Sequence, residues 1–167
     1  MGYAGADWIL HYHRWPPIAY ATVGTGPALI FAQWACHLEL EWQEPRVRDF
    51  WETIGQHRMV VRYDRHGCGL SDRNRTDFSF DSEIRTIEAI VKKLGLKSFV
   101  LWGQGGGAPP AIAYAVKSPD RVSHLILSNP GTAFFERGGD RRRPVGRCRR
   151  DAGRAGEAVT LTSVHSG

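Results

Sequence analysis

Residues 101–108 read Leu101-Trp102-Gly103-Gln104-Gly105-Gly106-Gly107-Ala108, and their setting decides the fold. Just upstream, residues 98–102 form a short apolar run of strand character. Downstream, residues 111–117 lie in a helical pattern. In open α/β sheets a glycine-rich strand-to-helix turn lies at the carboxyl ends of the strands, where ligands bind. Two chemistries use such a turn. One is the nucleophile elbow, G-x-S-x-G, in which a sharp turn raises a serine hydroxyl above the sheet. In the frame Gly103-Gln104-Gly105-Gly106-Gly107 the outer glycines are in place and Gly105 holds the nucleophile position. The other is a dinucleotide fingerprint, G-x-G-x-x-G/A, met by Gly103, Gly105 and Ala108. That fingerprint opens its domain, whereas about a hundred residues precede it here. The next strand ends in Ser128-Asn129 with no acid for a ribose, and Pro109 and Pro110 disturb the receiving helix. A third reading is a packing turn without chemistry.

Working outward, short β-rich runs alternate with helical patterns. Residues 8–14 and 18–23 are strand candidates joined through Trp15-Pro16-Pro17, and residues 28–31 make a short apolar strand suited to burial on both faces. Residues 45–56 predict a helix with Val47, Phe50, Trp51 and Ile54 at helical spacing. Residues 58–63 form a β-branched strand, followed by the loop His66-Gly67-Cys68-Gly69. Residues 79–94 predict a helix capped by Ser79 or Asp81, striped by Ile84, Ile87, Val91 and Leu94, and stopped by Gly95. Residues 122–127 complete the set as a strand. This alternation implies an α/β fold, a mostly parallel sheet covered by helices, with an antiparallel hairpin at its N-terminal edge.

The chain has 167 residues, the size of one domain, and 42% of them are hydrophobic, enough for a packed core. No apolar run is long enough to cross a membrane, and the first ten residues show no secretory pattern. The three cysteines, Cys36, Cys68 and Cys148, form neither a disulfide framework nor a zinc pattern, so a cytoplasmic setting is expected. The net charge of +5 is uneven. Residues 136–167 hold eight arginines against four acidic residues, and no Phe, Trp or Tyr follows Phe135. We therefore expect one domain over 1–135 and a basic Arg/Gly-rich tail over 136–167 that is disordered, with only nonspecific nucleic-acid contacts.

Several stretches together resemble the α/β-hydrolase superfamily, in particular esterase-like members found alone or joined to cyclase and transcription-regulator domains. They are IAYATVGTGP (18–27), CHLELEW (36–42), RYDRHGCGLSDR (62–73), the glycine elbow, AIAYA (111–115) and PDRVSHLIL (119–127). The resemblance implies an N-terminal part of that fold and an ester or acyl-hydrolase class. It implies that Gly105 stands where the family has its nucleophile. It places an oxyanion hole at the N–H groups of Trp34 and Gly106, with Gly103, Gln104 and Gly107 completing the elbow. The family's acid and histidine follow strands beyond residues 122–127, where this chain has only its basic tail; His165, the one histidine there, reads as a tail residue. The implied behaviour is a protein inactive in hydrolysis that binds a small acyl or ester ligand, or a partner. Exposed sheet edges left by absent strands would favour self-association.

Other constellations are weaker. His11 and His13 share a face of a predicted strand, with no third ligand for a metal. Cys36-His37 and His66-Gly67-Cys68 place thiols beside imidazoles, but adjacent residues on extended backbone point apart. Pro110 is expected to cost its helix a hydrogen bond, up to about 3 kcal/mol. No cofactor is implied.

Overall fold

Strand β3, Ala28–Ala32, is buried at every position, so it must be covered on both faces. A computed structural model of the chain describes residues 9–14, 17–33, 37–130 and 160–162, and it shows how. The sheet runs β1-β2-β4-β3-β5-β6-β7. Strands β4 (Met59–Tyr63), β3, β5 (Phe99–Gln104) and β6 (Val122–Ser128) are parallel. Strand β2 (Pro17–Val23) joins antiparallel to β4 and makes a hairpin with β1 (Ile9–Arg14). The expected mixed α/β sheet with an antiparallel N-terminal hairpin is what forms.

Successive residues of a strand face opposite sides. Phe99 and Leu101 of β5 therefore join Ile30, Val61, Ile87, Ile90 and Tyr114 in the core beneath α3 (Phe80–Lys93) and α4 (Ala108–Lys117). Val100 and Trp102 face the other side, with Leu29, Phe31, Val60 and the tryptophans of α1 (Leu38–Gln43) and α2 (Pro45–Gly55). Helix α3 forms as its sequence predicts: the Ser79 side chain accepts from Ser82 N, Asp81 and Glu83 stand in the first turn, and Lys92 and Lys93 in the last.

Two elements were not expected. Helix α1 is six residues long, capped by His37, whose Nδ1 accepts from Leu40 N at 3.4 Å. Strand β7, Thr160–Thr162, pairs antiparallel with Leu125–Leu127 of β6, so three residues of the tail occupy that edge. His165, Cys36, Cys148 and Trp34 lie outside the described residues.

The expected loss at Pro110 does not occur. One 3₁₀ turn, Gly105–Gly107, intervenes after β5, and α4 starts only at Ala108. Pro109 and Pro110 therefore fall on its second and third residues, whose N–H groups would have no intrahelical acceptor in any sequence.

Candidate functional site

The elbow is built by close approach. A methyl group at Gly103 would stand 2.7 Å from Ala108 Cα and 2.9 Å from Ala111 Cβ; one at Gly107 would stand 2.2 Å from Ala32 O. Those glycines let α4 rest on β5 and the turn pass against the end of β3. Gly105 differs. Its φ is +54°, in the left-handed region, and a Cβ there would meet no atom within 4 Å. Position 105 thus projects into open space from the conformation a raised side chain requires, and it carries only hydrogen.

Gly106 occupies the middle of the 3₁₀ turn and Gln104, the exposed last residue of β5, adjoins it. Ala108 N–H donates to Gly105 O, and Pro109 and Pro110 have none to give. The Gly106 N–H, at the start of the turn, lacks an acceptor within it. Gly103, Gln104, Gly105, Gly106 and Gly107 make the end of β5 and the turn after it, while Trp34 lies outside the described residues. Among the described residues no group of three His, Cys, Asp or Glu could hold a metal ion.

Beside the elbow, on the α1/α2 side, a cleft of about 840 Å³ opens over the carboxyl ends of β3, β5 and β6. Its wall is aromatic. Phe31 lies 4.7 Å from Trp51 and 4.9 Å from Trp102, and Phe50 lies 4.9 Å from Trp51 (ring centroids). Trp102 Nε1–H donates to Ser128 Oγ at 2.8 Å, which fixes the indole. The polar floor centres on Glu41. Its carboxylate accepts from Gln33 Nε2 at 3.1 Å and pairs with Arg62, whose guanidinium also lies 4.9 Å from the Trp51 ring centroid. Gln33, Glu41 and Arg46 were not singled out from the sequence; they come from three elements, and no local spacing marks them.

The loop after β4 is a structural tie. Asp64, fully buried, accepts from Leu38 N at 3.0 Å and Leu70 N at 2.8 Å. Ser71 Oγ–H donates to Asp64 O and accepts from Ala19 N. Cys68, half-buried in this loop, is a free thiol. Glu83 of α3 then binds Arg65 and Arg75 together, both at 2.5 Å. Burial alone would raise the Glu83 carboxyl, but the hydrogen bonds and charges of the two arginines outweigh it and hold it below the usual glutamate range.

A family model described as alpha/beta hydrolase fold matches residues 40–153. The chain is 39% identical over 94 residues to a 1-acylglycerol-3-phosphate O-acyltransferase ABHD5 of Sus scrofa, covering 53% of this chain and 27% of that protein. It is 31% identical over 83 residues to a (lyso)-N-acylphosphatidylethanolamine lipase of Bos taurus, covering 47% and 24%. The chain thus spans about a quarter of the length of these curated relatives. Among solved structures, a haloalkane dehalogenase loop variant from Bradyrhizobium elkanii superposes with a TM-score of 0.64 at 22% identity, over 74% of this chain and 41% of that one. A thioesterase domain from the curacin biosynthetic pathway gives 0.62 at 21%, over 78% and 50%.

Proposed function

The chain belongs to the α/β-hydrolase fold family, and from that premise we propose that it binds a small acyl or ester ligand at the elbow without hydrolysing it. The observation that carries this reading is Gly105: its φ of +54° and the open space before it keep the elbow's shape, while the attacking hydroxyl is gone. Removing the nucleophile of a catalytic triad costs on the order of 10⁶ in kcat. What remains is the capacity of backbone donors, Gly106 N–H among them, to hold a carbonyl or carboxylate oxygen.

Acyl hydrolysis is the rival reading, favoured by the lipase name of one relative. The two separate cleanly. Purified protein should give no turnover of p-nitrophenyl butyrate above buffer and no covalent adduct with a fluorophosphonate probe. A labelled side chain, mapped by mass spectrometry, together with ester turnover would establish hydrolysis and end our reading. On our reading Gly105→Ser, which restores the hydroxyl alone, should also stay silent toward the ester.

A further inference from the structure

We propose that the aromatic cleft between α2 and the ends of β5 and β6 is a second binding site, for a planar aromatic ligand that carries one acidic group. It adjoins the elbow through Gln104, which lines it, while Gly105 and Gly106 do not. Its size, about 840 Å³, is that of a small-molecule site. Helix α2 covers Phe31 with Trp51, but Trp102 remains only half-buried and Phe50 is 47% exposed. Parts of two large aromatic side chains, whose ring centroids lie 6.2 Å apart, are thus open at the mouth, and flat π-systems pack on such rings.

The charge of the lining selects the ligand. Glu41 is neutralised by Arg62 and held by Gln33, so it presents no free charge. Arg46, exposed at the rim on α2, has no ion-pair or hydrogen-bond partner among the described residues. One cation at the edge of an apolar aromatic slot favours one acidic group on a ring system. A separate observation falls at the same place. Asn129, on the rim beyond β6, holds a φ of +47°, and it is the non-glycine residue with positive φ among those described. Backbone held in that region clusters at ligand sites.

Isothermal titration with 1-naphthylacetate and its neutral isostere 1-naphthylacetamide tests the proposal. The acid should bind at one per chain, about fivefold tighter than the amide, the worth of one solvent-screened ion pair. Arg46→Gln, a surface change that leaves the core intact, should abolish that preference, and Trp102→Leu should weaken both ligands. Gly105→Ser should alter neither, which separates this site from the elbow. Equal affinity for acid and amide, a preference that survives Arg46→Gln, or no binding of either compound to the parent protein would overturn it.

Discussion

At the scale of single residues, the elbow's glycines divide by what surrounds them. Gly103→Ala and Gly107→Ala each drive a methyl group into neighbouring atoms, backbone oxygen in the second case, and should each cost about 3 kcal/mol. Gly105→Ala meets no atom and bears only the strain of a left-handed alanine, about 1 kcal/mol. Urea denaturation of the three variants should rank them in that order, and equal losses would refute the division. The motif frame already distinguished outer from central glycines, because G-x-x-x-G spacing encodes close approach. The aromatic wall was not legible. Phe31, Phe50, Trp51 and Trp102 come from β3, α2 and β5, and only the strand order brings them into one cluster.

At the scale of elements, helix α3 is held to the loop after β4 by Glu83 and to α4 by Tyr114, whose hydroxyl donates to Glu88 at 2.7 Å. Glu83 was not singled out from the sequence; its burial depends on Arg65 and Arg75, which lie outside the helix and beyond its spacing. Its folded-state carboxyl titrates below its ordinary 4.5. The stability it confers is therefore fully present above that pH and lost as pH falls through the lower, folded value. Glu83→Gln strands two arginines and should cost about 3 kcal/mol near neutrality, with a shallower acid limb in stability against pH. Tyr114 gives the opposite limb. Burial, reinforced by Glu88, pushes its hydroxyl up to about 12. The unfolded chain ionises near 10, so stability falls as pH rises from about 10 to about 12, and Tyr114→Phe should flatten that fall. Helix α1 escaped the sequence because six residues carry little periodicity; its cap at His37 and the Glu41–Arg62 pair hold it in place.

At the scale of the whole molecule, the strand–helix alternation was enough to set the central sheet, since each apolar run had one way to be covered. The far edge was not, because nothing in a Thr-Leu-Thr segment announces a partner thirty-odd residues upstream. Strand β7 shields only Leu125–Leu127. Leu161→Pro puts a residue of fixed φ and no N–H in the middle of that short strand, and light scattering after gel filtration should then show more self-association than the parent chain. An unchanged mass distribution would mean that β7 does not guard the edge. The Asp64 carboxylate reaches two amides, Leu38 at the start of α1 and Leu70 in a loop, and so joins the segments that follow β3 and β4. Deuterium uptake at those two positions should accordingly be slow and correlated: the shoulder of the cleft breathes as a unit, or stays shut.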